Sequence, residues 1–82
     1  MSDRRYQLVL KSAANEILQE MCKKLDATPK EVILDALAVF HFAMRETERG
    51  FQMGSFDPRS QNFTGVVTPS LQRIRSPEAR AL

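Results

Sequence analysis

Residues 28–44 read TPKEVILDALAVFHFAM, and this stretch decides the predicted fold. Thr28 suits the N-cap of a helix, Pro29 its first position and Glu31 its third, which completes a capping box. Most of the following residues are apolar, so the helix carries apolar side chains almost all round. Such a helix has to be buried on more than one side. Gly50, after the charged run RETER, predicts where it ends.

A second helical pattern precedes this helix. Ser12 is a suitable N-cap, and Asp26 stands where a helix often ends in a left-handed residue. Between them apolar residues recur at spacings of three and four, namely Ala14, Ile17, Leu18, Met21 and Leu25. The pattern predicts an amphipathic helix with one buried face, joined to the second helix by a short turn.

Residues 4–12, RRYQLVLKS, alternate between apolar and polar side chains as a half-buried strand does. One face of this strand holds Tyr6, Leu8 and Leu10, and the other holds Arg5, Gln7, Val9 and Lys11. No hairpin turn follows, so the predicted strand has no neighbour nearby in sequence to take its backbone hydrogen bonds.

The unpartnered strand and the largely apolar helix both indicate a homodimer. An 82-residue chain is one small domain that buries a limited share of its surface. In a dimer the strand pairs antiparallel with its symmetry mate, and the second helices pack across the two-fold axis. The predicted dimer interface consists of Leu8, Leu10, Ile33, Leu37, Phe40 and Met44.

The order strand, helix, capped turn and helix, in YQLVLKS, ANEILQEMCKKL, DATPKE and VILDALAVF, resembles the ribbon-helix-helix repressors of the MetJ and Arc type. The resemblance covers roughly residues 4–47. It implies a mostly α fold with one N-terminal β-strand, assembled as an intertwined homodimer with a two-stranded antiparallel intermolecular ribbon. In that family the ribbon enters the major groove and the second helix begins at a phosphate. By this resemblance, the residues of this chain that contact bases are Arg5, Gln7, Val9 and Lys11. The residues that contact phosphate are Thr28, Pro29 and Lys30.

Two positions depart from the family pattern. Val9 stands where the family usually has a polar reader, so it suits a thymine methyl group rather than a hydrogen bond. Pro29 removes one backbone donor from the start of the second helix. Gln7 and Lys11 suit base reading better, because glutamine pairs with adenine and lysine reaches guanine acceptors.

Charge and composition narrow the function classes. Residues 1–11 hold three basic groups and one acidic group, and residues 51–82 hold four basic and two acidic groups. Residues 12–50, between them, hold five basic and seven acidic groups. Basic ends are typical of segments that face nucleic acid, and equally of an ordinary solvated surface. Cys22 is the only cysteine and His41 the only histidine, so one chain can form neither a disulfide nor a structural zinc site. No catalytic group accompanies His41 at a readable spacing. We expect no enzyme, cofactor or metal, no membrane span, and a cytoplasmic location.

We expect two regions, a ribbon-helix-helix dimerisation and DNA-binding domain at 1–50 and an irregular C-terminal extension at 51–82. The extension holds too many apolar residues for a purely solvating tail, so it either folds back on the dimer or orders on a protein partner. Within it, FTGVVT can form a short strand and TPSLQRI a capped helical turn. The predicted function is a sequence-specific regulator of transcription, a repressor that binds double-stranded DNA. The alternative is a dimeric protein-interaction module or antitoxin-like adaptor acting through the extension.

Overall fold

The computed structural model describes residues 3–74, which contain two helices followed by a hairpin. Helix α1 spans Ser12–Leu25 and helix α2 spans Pro29–Glu48. Strand β1 covers Gly54–Asp57, strand β2 covers Asn62–Gly65, and a 3-10 turn covers Leu71–Arg73. The chain divides into two compact units, Met1–Asp35 and Ala36–Leu82.

Helix α1 differs from the prediction at its start and matches it at its end. Ser12 is its first helical residue rather than its N-cap, because Lys11 takes the cap position with extended backbone and no side-chain cap bond. At the other end Asp26 adopts the left-handed conformation, with φ 50° and ψ 51°. The N–H of Ala27 donates to the carbonyl of Cys22 at 3.0 Å, which satisfies one of the last helical carbonyls. The predicted left-handed end is therefore confirmed.

Helix α2 begins with the predicted capping box. The N–H of Glu31 donates to the Thr28 hydroxyl oxygen at 3.2 Å, and the N–H of Thr28 donates to the Glu31 carboxylate at 3.3 Å. The Thr28 hydroxyl also donates to that carboxylate at 3.1 Å. Pro29 is the first helical residue, where a missing N–H costs no helical hydrogen bond.

The predicted end of α2 near Gly50 is confirmed as well. Gly50 has φ 85°, and its N–H donates to the carbonyl of Thr47 at 3.0 Å. The N–H of Phe51 donates to the carbonyl of Glu46 at 2.9 Å, which completes the two-bond pattern of a glycine-terminated helix. A side chain at Gly50 would strain this left-handed position.

The predicted fold class is wrong for the placement of the strands. Residues 3–11 form neither helix nor strand, and both strands follow the helices. β1 pairs antiparallel with β2, with Phe56 opposite Phe63. An extended segment becomes a strand only when a neighbouring backbone takes its hydrogen bonds, and alternation of side chains does not supply that neighbour. Residues 3–74 therefore form two helices followed by a hairpin, instead of a mostly α fold with one N-terminal β-strand.

The hairpin turn is organised by Asp57. Its carboxylate accepts hydrogen bonds from the N–H of Arg59 at 2.9 Å and from the Ser60 hydroxyl at 3.0 Å. Both bonds stabilise the ionised carboxylate and lower the pKa of Asp57 below its usual 3.8, and the bond from the Arg59 N–H has the larger effect. Gln61 closes the turn with φ 63°, and its N–H donates to the Asp57 carbonyl at 2.8 Å. This regular hairpin occupies part of the extension that the sequence predicts to be irregular.

The unit Ala36–Leu82 has a small apolar centre between α2 and the residues after the hairpin. Ala43 of α2 and Leu71 of the 3-10 turn are both buried and line the same groove. The N–H of Leu71 donates to the Thr68 hydroxyl oxygen at 3.2 Å, so the capped helical turn expected in this region is confirmed. Residues 51–74 of the C-terminal extension thus fold back within their own unit.

Candidate nucleic-acid interface

The candidate base-contacting residues lie on the exposed segment that leads into α1. Arg5, Gln7, Val9 and Lys11 are all exposed, and Val9 is 93% exposed. The carbonyl of Lys11 accepts the N–H of Asn15 at 2.9 Å, which anchors the end of the segment to the first turn of α1. Within residues 3–74, neither Arg5 nor Lys11 forms an ion pair. Their cationic groups are therefore available to a ligand.

The inward face predicted for the same segment is not covered in the single chain. Tyr6 and Leu8 are exposed, Leu8 by 74%, and Leu10 is half-buried. One chain therefore does not separate a buried face from a wet face along this segment.

The candidate phosphate-contacting residues stand together at the start of α2. Thr28, Pro29 and Lys30 are exposed, but the Thr28 hydroxyl is engaged in the capping box and Pro29 has no N–H. The N–H of Glu31 is held by the same box. Among the described residues, the N–H of Lys30 is left without a partner in this first turn, and its ammonium group forms no ion pair. An anion at this position would therefore be held mainly by Lys30 and by the helix dipole.

The predicted dimer residues on α2 form one exposed stripe. Ile33, Leu37, Phe40 and Met44 follow one another at spacings of four, three and four, which places them on one side of a helix. Leu37 is 61% exposed and Phe40 is 42% exposed, while Met44 is half-buried. In the single chain the exposed parts of Leu37 and Phe40 on this stripe face water.

Other kinds of site find little support among residues 3–74. No three His, Cys, Asp or Glu side chains of this part of the chain gather as metal ligands would. Neither of its two helices combines the length and the apolar character of a membrane-spanning helix. Cys22 is a free, half-buried thiol, and His41 is exposed on α2.

Sequence reasoning did not identify one surface that the structure reveals, the groove between α2 and the C-terminal extension. Met53, Val66 and Leu71 reach this groove from the extension. The available signal was the apolar content of residues 51–74, which exceeds what a solvating tail needs. No family model matches the chain, and neither a curated protein nor a solved structure shows significant similarity to it.

Proposed function

We propose that the protein is a sequence-specific DNA-binding regulator of transcription, a repressor that acts in the cytoplasm as a homodimer. In this proposal residues 5–11 of both copies contact the bases of double-stranded DNA. One observation carries it: Arg5, Gln7, Val9 and Lys11 are all exposed on one continuous segment, and its cations form no ion pair within residues 3–74.

The side chains of this segment suit the edges of base pairs in the major groove. The Gln7 amide has a donor and an acceptor, which match the N6 and N7 groups of adenine. The Lys11 ammonium group matches the acceptors of guanine, and Val9 offers apolar contact to a thymine methyl group. Arg5 stands at the margin, where a guanidinium group can bind either a base or a phosphate.

Phosphate contact in this proposal falls mainly to Lys30. Its free backbone N–H and its ammonium group lie at the positive end of the α2 dipole, where anions are favoured. Contacts of this kind position a protein on the duplex without reading its sequence. Thr28 contributes by fixing the start of the helix through its cap bonds.

The homodimer is supported by the exposed apolar surface. Leu37 and Phe40 lie uncovered on α2, and Tyr6 and Leu8 lie uncovered on the N-terminal segment. A second copy removes such surface from water and places two reading segments in two-fold symmetry. Symmetric proteins of this kind bind DNA sites with matching two-fold symmetry.

Binding to a random duplex at increasing salt tests the proposal. A triple variant, Arg5→Ala, Gln7→Ala and Lys11→Ala, removes four cations from the dimer. A random duplex offers no specific bases to Arg5 and Lys11, so their cations contact phosphates there. Because each lost phosphate contact lowers the magnitude of the salt slope by about 0.9, that magnitude should fall by up to about 3.6. The control variant, Lys23→Ala with Lys24→Ala, removes the same number of cations from the last turn of α1.

The expected result is a large loss of affinity for the triple variant and a small loss for the control. Equal losses would mean that binding is diffuse attraction to positive charge. Undetectable binding by the unmodified protein at low salt would refute the DNA-binding proposal and favour the protein-interaction alternative.

A further inference from the structure

One side of α2 combines exposed apolar and charged side chains. α2 is a single uninterrupted helix, so residues separated by three, four or seven positions lie along the same side of it. One such set consists of Glu31, Leu34, Ala38, Phe42 and Arg45. We refer to this set as the Ala38 face.

The Ala38 face is distinct from the stripe that contains Leu37 and Phe40. Successive residues of an α-helix differ in direction by about 100°, so Ala38 and Leu37 point to different sides of α2. All five residues of the Ala38 face are exposed, Leu34 by 54% and Phe42 by 55%. Water therefore contacts an apolar area of α2 that the predicted dimer residues do not include.

The Ala38 face contains a hollow of about 280 Å³. Ala38, His41, Phe42 and Arg45 are among the residues that line it, and they occupy positions i, i+3, i+4 and i+7 of the helix. Four residues of one helix form the hole that receives a side chain of a facing helix in knobs-into-holes packing. The hollow therefore suits a side chain of another helix.

The two ends of the Ala38 face carry opposite charges. Glu31 lies seven residues before Ala38, and Arg45 lies seven residues after it. Leu34 and Phe42 lie four residues before and after the same alanine. Turning a second α2 end for end about Ala38 thus brings Glu31 of each copy to Arg45 of the other. A parallel arrangement would instead bring like charges together, so the charges favour an antiparallel pair.

Both charged groups are able to make this contact. The two cap bonds to the Glu31 carboxylate use the same oxygen, which leaves the other oxygen to accept a hydrogen bond from an arginine. Arg45 forms no ion pair within residues 3–74. Pairing two exposed groups therefore breaks no bond seen in the single chain.

We propose that a second copy of the chain packs antiparallel on the Ala38 face, with Leu34 of each copy in the hollow of the other. Glu31 of each copy pairs with Arg45 of the other, and Ala38 lies on the two-fold axis. This contact goes beyond the proposed homodimer. The dimer residues predicted on α2 lie on another side of the helix, so the two contacts can form independently.

Reversal of charge tests the contact. Glu31→Arg places arginine against Arg45 of the second copy, and Arg45→Glu places glutamate against Glu31. In sedimentation equilibrium each variant should associate at least about tenfold more weakly, because two contacts change from attraction to repulsion. An equimolar mixture of the two variants should associate as tightly as the unmodified chain, because opposite charges meet again at both contacts. The control, Glu16→Arg on α1, should change the dissociation constant less than about twofold.

The outcomes separate this inference from the proposed homodimer. If both variants associate as tightly as the unmodified chain, the Ala38 face is not a contact between copies, while the homodimer stands. The face would then be open to another protein. A mixture that associates as weakly as the single variants would also overturn the inference. If the unmodified chain is monomeric throughout, both proposals fail.

A disulfide cross-link covers the case in which Glu31→Arg unfolds the chain, which circular dichroism would reveal. Ala38→Cys in a Cys22→Ser background places two thiols at the two-fold axis, where oxidised glutathione should link the copies. Val39→Cys is the matched control, because Val39 is the next residue and lies on another side of α2. Linked copies on a non-reducing gel should form at least about tenfold faster for Ala38→Cys than for Val39→Cys. Equal rates, or no linked copies for Ala38→Cys, would overturn the inference.

Discussion

Replacing Thr28 by alanine tests the most completely bonded part of the fold. The substitution removes the hydroxyl that accepts the Glu31 N–H at 3.2 Å and donates to the Glu31 carboxylate at 3.1 Å. All three capping bonds are exposed, so water replaces part of what is lost. The expected cost is therefore about 1 kcal/mol, the usual value for loss of such a cap.

The assay is thermal unfolding followed by circular dichroism at one fixed protein concentration, because the stability of a dimer depends on concentration. For a chain of 82 residues, about 1 kcal/mol corresponds to a fall in Tm of roughly 4–8 °C. Thr28→Ser is the matched control, since it keeps the hydroxyl and should stay within about 2 °C of the unmodified chain.

A double-mutant cycle with Glu31→Ala identifies the cause. If the two residues act as one capping box, the cost of Thr28→Ala should shrink when Glu31 is already alanine. Equal stability of Thr28→Ala and Thr28→Ser would refute the reasoning. The start of α2 would then be fixed by packing rather than by these hydrogen bonds.

Three further predictions concern the C-terminal unit. Gly54→Ala should destabilise the hairpin in thermal melts more than Gly65→Ala, because a Cβ at Gly54 would overlap the backbone of the facing strand, whereas at Gly65 it meets a flexible glutamine side chain. In an NMR titration the carboxyl of Asp57 should show a pKa below 3.8, since a backbone N–H and the Ser60 hydroxyl bind its ionised form. The stabilisation that the Asp57 carboxylate gives the fold should therefore be full above the unfolded pKa of about 3.9 and should be lost as the pH falls through the folded pKa. Ser60→Ala removes one of the two hydrogen bonds and should raise that folded pKa. Leu71→Ala should cost about 2 kcal/mol in urea unfolding, near the low end for a buried leucine because the adjoining groove is open, and no measurable change would contradict its role.

Local chemistry made the helix boundaries predictable from the sequence. Thr28, Pro29 and Glu31 specify the start of α2 within four consecutive residues, and Asp26 and Gly50 mark left-handed helix ends. Each of these signals depends on neighbouring residues alone. The prediction that Ser12 is the N-cap was wrong, because a serine beside a helical pattern can be either the N-cap or the first helical residue.

The strands were less predictable, because strand formation depends on a distant backbone. Of the short strand expected in FTGVVT, residues 63–65 lie in β2, which spans Asn62–Gly65. The segment around Val9 has the alternation of a strand, yet the single chain offers no partner for it. The alternation of apolar and polar residues is weaker in the two strands of the hairpin. The turn between them depends on hydrogen bonds to Asp57 and on the left-handed backbone of Gln61, a conformation that glutamine rarely adopts. An Asp-Pro pair at positions 57–58, typical of a turn, was the signal available.

For the candidate site, the exposure of its polar residues agrees with the sequence prediction, whereas the cover predicted for its apolar residues does not. The sequence predicts outward positions for Gln7 and Lys11, and the structure places both at the surface. It also predicts a covered position for Leu8, which is exposed in the single chain. Whether a side chain is covered depends on surfaces that are distant in sequence, and periodicity within the segment contains no information about the shape of those surfaces.

Selection of binding sites from a pool of random DNA duplexes would show whether the protein recognises a specific sequence. The full-length protein would be equilibrated with the pool, and the affinity of the enriched sequence compared with that of an unselected duplex at the same salt concentration. We expect an enriched site with two-fold symmetry, bound at least about a thousandfold more tightly than random DNA. Gln7→Ala should lower that preference without weakening binding to random DNA. A pool without enrichment, or an enriched site whose preference survives replacement of Arg5, Gln7 and Lys11 together, would contradict the proposed function.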